Sequence, residues 1–236
     1  MTEIRNYDDS HEVAAAAAEN AVEILQLAVE HRGAASWVLA GGTSPMLAYK
    51  HIIRHFADAL DWSLVTVVMG DERMVPLDHK DSNWGTILPL FDANEHTAKI
   101  RRIEPLMFDD AEHTAIAYES AIRAAGIDRF DLVWVGVGED GHTLSLFPGN
   151  PALIEPTEAL VVPVHDAPKP PADRISLSLR ACESIVELVI FAVGASKRDA
   201  LRQARLKGGL PVSIVAEHAE AHGAEVRWLY DDAAWQ

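Results

Sequence analysis

The fold is decided by the stretch Leu132-Val133-Trp134-Val135-Gly136-Val137-Gly138-Glu139-Asp140-Gly141-His142, in which an apolar run ends in a glycine-rich turn. The four apolar residues 132–135 predict a strand buried in a sheet. The glycines that follow allow the backbone to turn sharply and to approach a ligand closely. The turn presents His142, and an unperturbed histidine pKa of about 6.5 suits proton transfer near neutral pH. We therefore expect a general base on a rigid platform.

The same glycines, Gly136, Gly138 and Gly141, also match G-x-G-x-x-G, the dinucleotide-binding fingerprint. That fingerprint requires a helix that opens at the third glycine. Pro148 and two further prolines follow too closely for a helix of normal length. A dinucleotide site is therefore not expected. An alternative for His142, a hydrogen-bonded histidine in a buried turn, stays open at this point.

The composition limits the classes of protein and of partner. The chain has 236 residues, and with 20 Lys+Arg against 36 Asp+Glu its formal charge is −16. A length of this kind suits a single domain, here predicted to span 1–236. So acidic a chain is a poor candidate for binding to nucleic acids or anionic membranes. If the protein binds an anionic ligand, its few basic residues must be concentrated at the binding site.

Location is predicted from the cysteine count and the N-terminus. The single cysteine, Cys182, excludes an internal disulfide and agrees with a reducing compartment. The alanine-rich segment 14–18 continues into Glu19-Asn20, which predicts an amphipathic helix to about residue 30 and not a signal peptide. No apolar run approaches the ~20 residues of a membrane span. We expect a cytoplasmic protein.

Helical and extended segments alternate along the chain, which predicts an α/β fold with a mostly parallel sheet covered by helices on both faces. Besides the helix at 14–30, the predicted helices are 45–57, 82–88, 109–125, 197–206 and 212–221, and the predicted strands are 37–40, 64–69, 99–103, 132–137, 159–164, 175–179, 186–193 and 226–230. The proline-rich segment 165–172 is predicted to be a loop.

Polar and glycine-rich segments follow four of the predicted strands, at 41–44, 71–73, 136–142 and 194–197. Ligands of open α/β sheets bind in the crevice at the carboxyl ends of the strands. The convergence of these segments on one edge is stronger evidence for a site than any single motif.

The first of these segments, Gly41-Gly42-Thr43-Ser44-Pro45, joins a strand to a helix N-terminus. Free backbone N–H groups and the helix dipole favour an anion there, and the two hydroxyls add donors. The P-loop pattern is absent, which counts against a nucleoside triphosphate. An ordinary capped strand–helix turn is an equally good interpretation of this segment alone.

The second segment, Asp71-Glu72-Arg73, places three charges directly after a buried strand, with Asn83 nearby in the sequence. Arg73 offers a fork of donors to an oxyanion or a phosphate. Asp71 or Glu72 could orient that fork or bind sugar hydroxyls. A solvated acidic turn that leads into a helix is the alternative.

Two further cations are candidate phosphate ligands. Arg174 precedes a predicted strand, and Lys197 stands at the start of a predicted helix, whose N-terminus attracts the same anion. The alternative for each is a surface cation. Metal sites are not expected, because the i,i+4 pairs His51/His55 and His218/His222 lack the glutamate of H-E-x-x-H and an evident third ligand.

Taken together, these segments resemble the 6-phosphogluconolactonase family over about residues 37–206. The motifs that carry the resemblance are Leu39-Ala40-Gly41-Gly42-Thr43-Ser44-Pro45, Asp71-Glu72-Arg73-Met74-Val75-Pro76 with Ser82-Asn83, Asp140-Gly141-His142-Thr143-Leu144-Ser145-Leu146-Phe147-Pro148-Gly149, Arg174-Ile175-Ser176-Leu177 and Gly194-Ala195-Ser196-Lys197. The related glucosamine-6-phosphate deaminases look similar at the glycine loop, but they differ after the histidine and carry an aromatic residue in place of Arg73.

The resemblance implies a fold like that of ribose-phosphate isomerases and CoA-transferases, without metal or organic cofactor. It implies hydrolysis of 6-phospho-D-glucono-1,5-lactone in the oxidative pentose phosphate pathway, by a monomer or a homodimer. The implied catalytic residues are His142, Arg73 and Asp71. The implied substrate- and phosphate-binding residues are Gly41, Gly42, Thr43, Ser44, Asn83, Gly138, Gly141, Arg174 and Lys197.

Overall fold

In the computed structural model, which describes residues 2–236, seven strands form a central sheet in which every neighbouring pair is parallel. From one edge to the other they are β1 (Thr2–Tyr7), β10 (Glu225–Asp231), β9 (Ile185–Ala192), β6 (Phe130–Gly136), β2 (Ala35–Leu39), β3 (Val65–Met69) and β5 (Arg101–Arg102). The strand order changes direction between β6 and β2, the kind of switch point at which α/β sheets bind ligands.

Helices connect the strands, and local sequence sets their ends. They are α1 (Ser10–Arg32), α2 (Thr43–His55), α3 (Asn83–Asp92), α4 (Ala111–Ala124), α5 (Pro151–Ile154), α6 (Arg198–Leu206), α7 (Pro211–Ala221) and α8 (Asp232–Trp235). For example, the carboxylate of Asp9 accepts from the first free N–H groups of α1, and Gly33, at φ +74°, ends that helix. Within residues 2–236, no helix combines the length and the apolar character that crossing a bilayer requires.

Apolar side chains of the central sheet alternate between two separate cores. In β6, Val133 and Val135 belong to the core that includes α4, α6 and α7. Leu132 and Trp134 face the opposite core, which includes α1, α2 and α3. Strands buried on both faces are near-continuously apolar, and this is the pattern that the sequence shows. The predicted parallel sheet with helices on both faces is therefore confirmed.

A second, antiparallel sheet of three strands lies beside the first and was not predicted. Its strands are β4 (Asp71–Arg73), β8 (Arg174–Leu177) and β7 (Val161–Val164), in that order. Two of them were predicted as strands of a single, largely parallel sheet. The charged segment β4 was predicted only as a polar segment after a strand, and it is a strand because it pairs with β8. Tertiary pairing overrides the low strand propensity of acidic residues here.

The terminal elements also differ from expectation. The polar N-terminal segment forms β1, an edge strand paired with β10, and α8 follows β10 directly. Helix α2 begins at Thr43, two residues earlier than predicted. These differences reflect pairing partners and turn geometry that the hydrophobic pattern does not encode.

Candidate active site

A cleft of about 340 Å³ opens at the carboxyl ends of β2, β3, β6 and β9. Nearly all of the residues proposed from the sequence line it. They are Gly41, Gly42, Thr43, Ser44, Asp71, Arg73, Asn83, Gly138, His142, Arg174 and Lys197. Gly141 is the exception, because it lies behind the wall, where its carbonyl accepts from the backbone N–H of Val212 at 3.1 Å.

The loop after β6 holds a histidine–carboxylate pair. His142 Nδ1 lies 2.5 Å from Asp140 Oδ1, and the same oxygen accepts from the backbone N–H of His142 at 3.2 Å. The imidazole packs against Phe147, with ring centroids 4.5 Å apart. Partial burial opposes ionisation of Asp140, but the hydrogen bond and charge of His142 outweigh it and lower the pKa of Asp140. The ionised Asp140 accepts a hydrogen bond from the Nδ1–H of His142, and in the neutral imidazole this leaves Nε2 with its lone pair.

Two glycines give this loop its shape. A Cβ on Gly138 would lie 2.0 Å from His142 Nδ1 and 2.7 Å from Asp140 Oδ1, so only glycine leaves room for the pair. Gly141 has φ +79°, and a Cβ there would also meet Leu210 at 2.6 Å. No helix begins at Gly141, which agrees with the argument against a dinucleotide fingerprint. Both glycines thus serve the loop's own packing.

A second part of the cleft lining suits an anion. Gly42, at φ +98°, is the N-cap of α2, and no side chain caps that helix. A Cβ on Gly42 would meet no atom within 4 Å, so the helix N-terminus faces open space. Lys197 ends a 3-10 turn, Ala195–Lys197, and half-burial lowers its pKa in spite of the opposing effect of Glu139. Helix dipole and ammonium together favour a phosphate here.

The antiparallel sheet supplies a third wall, in which Arg73 and Arg174 are direct cross-strand partners. Arg174 is buried, and its guanidinium donates to the carbonyls of Lys169 at 2.8 Å and Pro171 at 3.1 Å. Burial lowers the pKa of Arg174, and the charge of Asp71 opposes this effect. Two cations on adjacent strands therefore line the cleft of an acidic protein, together with the carboxylate of Asp71.

Ser145 links this wall to the carboxylate of Asp71. Its hydroxyl donates to Asp71 Oδ2 at 2.5 Å and accepts from Arg174 Nη1 at 3.4 Å. The three side chains are buried or nearly so. The serine therefore fixes the orientation of both charged groups.

A fully buried carboxylate, Glu72, supports the wall from behind. It accepts from the backbone N–H groups of Arg73 at 2.7 Å, Asn83 at 2.8 Å and Trp84 at 2.8 Å. Burial raises the pKa of Glu72, and these hydrogen bonds oppose the rise. Asn83 in turn donates to the Asp71 carbonyl at 2.8 Å and leaves no room for a Cβ on Gly41. Glu72 thus positions the wall without lining the cleft.

Sequence reasoning missed two functional candidates, one that holds His142 and one that lines the cleft. Asp140 was named only as part of a motif and was given no role. Its position two residues before His142 could have predicted a hydrogen bond between the two side chains. Lys169, from the proline-rich loop, lines the cleft and lies 4.0 Å from Glu139. No local signal marks Lys169, because only the fold brings that loop to the cleft. Among residues 2–236, no group of three possible metal ligands gathers at this cleft.

Comparison with known proteins places the chain in a family. A family model described as glucosamine-6-phosphate isomerases/6-phosphogluconolactonase matches residues 8–228. The chain therefore belongs to this family, and the resemblance inferred from the motifs is confirmed.

Individual relatives point to one branch of that family. The chain is 33% identical to a 6-phosphogluconolactonase of Mycobacterium bovis, in an alignment that covers 98% of this chain and 96% of that protein. It is 31% identical to a 6-phosphogluconolactonase of Rattus norvegicus, over 86% of this chain and 80% of that protein.

Solved structures show the same fold. A 6-phosphogluconolactonase from Shewanella baltica superposes with a TM-score of 0.85 at 27% identity, over 98% of both chains. A monomeric glucosamine-6-phosphate deaminase gives a TM-score of 0.76 at 20% identity, over 98% of both chains. Lactonases and deaminases thus share this fold, so the fold alone does not separate the two activities.

Proposed function

We propose that this protein hydrolyses 6-phospho-D-glucono-1,5-lactone to 6-phospho-D-gluconate, the lactonase step of the oxidative pentose phosphate pathway. The observation that carries the proposal is the arrangement of the cleft. His142, which is paired with Asp140, lines the same cleft as the α2 N-terminus and Lys197, two groups that suit an anion. Relatives with at least 30% identity that bear the name 6-phosphogluconolactonase support the same reaction.

In the proposed reaction His142 is the general base. Its Nε2 takes a proton from a water molecule as the water oxygen attacks the lactone carbonyl. The imidazolium then returns that proton to the ring oxygen as the ester bond breaks. Asp140, held on Nδ1, stabilises the imidazolium that forms between the two steps.

The other walls have binding and charge-stabilising roles in this proposal. The N–H groups after Gly42, the hydroxyls of Thr43 and Ser44, and Lys197 would hold the 6-phosphate. Arg73, whose Nε is buried without a hydrogen-bond partner, would stabilise the carbonyl oxygen as it becomes negative. Arg174 would add charge beside the phosphate and fix the wall through its bonds to the proline-rich loop. Binding the remote phosphate positions the reacting carbon.

The alternative with a structural basis is deamination of glucosamine 6-phosphate, because a deaminase shares the fold. Arg73 and the segment after His142, Thr143-Leu144-Ser145-Leu146-Phe147, favour the lactonase, since they match the lactonase motifs and not those of the deaminases.

A direct assay tests the proposal. Freshly generated 6-phosphogluconolactone is incubated with the protein, and formation of 6-phosphogluconate is compared with spontaneous opening of the lactone. We expect a catalysed rate well above that background. Absence of catalysis would overturn the proposal. Ammonia release from glucosamine 6-phosphate would then identify a deaminase, and binding of 6-phosphogluconate without turnover would identify a binding protein.

A further inference from the structure

A second cluster of polar side chains lies outside the cleft, where α7 ends. His218 and His222 are one turn apart at the C-terminal end of this helix. Glu183, from the 3-10 turn Arg180–Glu183, packs beside them. One ligand atom from each of the three residues lies within 4.8 Å of the other two. We infer that Glu183, His218 and His222 bind a divalent transition-metal ion of the zinc type.

Hydrogen bonding fixes the tautomer of one histidine and leaves a ring nitrogen of the other without a partner. His222 Nδ1 lies 2.8 Å from the carbonyl oxygen of His218. A carbonyl only accepts, so Nδ1 carries the proton and Nε2 keeps its lone pair. This is the arrangement by which metal-ligating histidines are usually fixed. His218 Nε2 is buried and makes no hydrogen bond.

The carboxylate fits the same geometry. Glu183 Oε2 accepts from Arg180 Nη1 at 2.5 Å, which leaves Oε1 for another partner. That oxygen lies 3.4 Å from His218 Nε2. Zinc bonds of about 2.0–2.2 Å in a tetrahedron place two ligand atoms about 3.4 Å apart. Two imidazoles and a carboxylate are also the ligand types that zinc accepts, with a fourth position left for water.

The chain contains its own control for this inference. His51 and His55 form another i,i+4 pair, on α2, with ring centroids 4.4 Å apart against 4.5 Å for His218 and His222. In the described residues 2–236, only the pair on α7 has a third ligand within reach. If zinc binds at His218 and His222 but not at His51 and His55, the third ligand Glu183 accounts for the difference, because both pairs have the same helical spacing.

Zinc binding to the tag-free, full-length protein tests the inference. Competition with a chromophoric chelator measures the affinity, and the absorption spectrum of bound Co²⁺ reports the geometry of the ligands. We expect one zinc ion per chain. The variants His222→Ala and Glu183→Gln are each expected to weaken binding by about tenfold or more, while His51→Ala leaves it unchanged. Circular dichroism checks that each variant is folded, and because His222 is exposed its replacement leaves the core intact.

Three outcomes would overturn the inference. The first is that the wild-type protein binds no zinc at a free zinc concentration of about 100 μM. A three-ligand site is expected to be occupied at that concentration even if its affinity is weak. The second is equal zinc affinity in wild type and His222→Ala. The third is a loss of affinity in His142→Ala instead, which would assign the metal to the cleft. In each case the 3.4 Å contact between His218 Nε2 and Glu183 Oε1 would be an ion pair and not part of a metal site.

Discussion

The loop after β6 and the antiparallel sheet reach the same cleft by different means. In the loop, His142 and Asp140 are two residues apart, and the turn itself brings imidazole and carboxylate together. In the sheet, Arg73 and Arg174 are distant in the sequence and become neighbours only through strand pairing. The proposed proton transfer therefore depends on a short turn within the sequence, whereas the placement of positive charge depends on the tertiary structure.

Removal of the proposed base has the largest expected effect. His142→Ala is expected to lower kcat about 10²–10⁴-fold, because no other group would take the proton of the attacking water. His165→Ala is the matched control, since His165 also pairs with an aspartate, Asp173 at 2.8 Å, but lies outside the cleft. Steady-state kinetics of both variants checks this. A near-normal kcat for His142→Ala would contradict the assignment of the base.

A methyl group beside His142 and Asp140 tests whether catalysis depends on the geometry of the loop that carries them. Gly138→Ala places a Cβ 2.0 Å from His142 Nδ1 and must displace the imidazole. Misplacement of a catalytic group by about 1 Å can cost roughly 100-fold in rate, and a fall in kcat of that order is expected. Gly136→Ala, where a Cβ meets nothing within 4 Å, is expected to retain kcat. Equal losses in the two variants would refute the local argument.

The antiparallel sheet is expected to affect binding more than chemistry. Arg174→Lys removes the planar fork that donates to the carbonyls of Lys169 and Pro171. Loss of such charge-assisted bonds is expected to raise KM about tenfold with a smaller change in kcat. Arg54→Lys, on the exposed face of α2, serves as the control. A fall in kcat at unchanged KM would show that Arg174 acts in the chemical step.

The smallest effect on turnover is expected for Ser145, whose hydroxyl is hydrogen-bonded to both Asp71 and Arg174. Ser145→Ala leaves Asp71 Oδ2 without its donor, which is expected to cost about 1–3 kcal/mol in the free energy of unfolding. Ser120→Ala, on the surface of α4, is expected to change that free energy by less than about 0.5 kcal/mol. Urea denaturation measures both. If Ser145→Ala instead reduced kcat as deeply as His142→Ala, the division between the two regions would fail.

Prediction from sequence succeeded where a pattern is local. Six of the seven strands of the central sheet, all except β1, follow from hydrophobic periodicity and turn residues, as do the six longer helices and the glycine turn that carries His142. The cleft position followed from the same information, because the carboxyl ends of parallel strands share one edge. Roles were harder to predict: Gly138 and Gly41 make room for His142 and Asn83, respectively, and Gly141 lies behind the wall.

The sequence by itself determined the class of fold, the family and the identity of most residues at the cleft, since each depends on neighbours in the chain. The tertiary structure decided the rest. It placed Asp-Glu-Arg in a strand opposite Arg174, brought Lys169 from a proline-rich loop to the cleft, and set Glu183 beside the two histidines of α7. The physical reason is that these contacts join residues far apart in the chain, and packing energy, which local propensity does not contain, decides them.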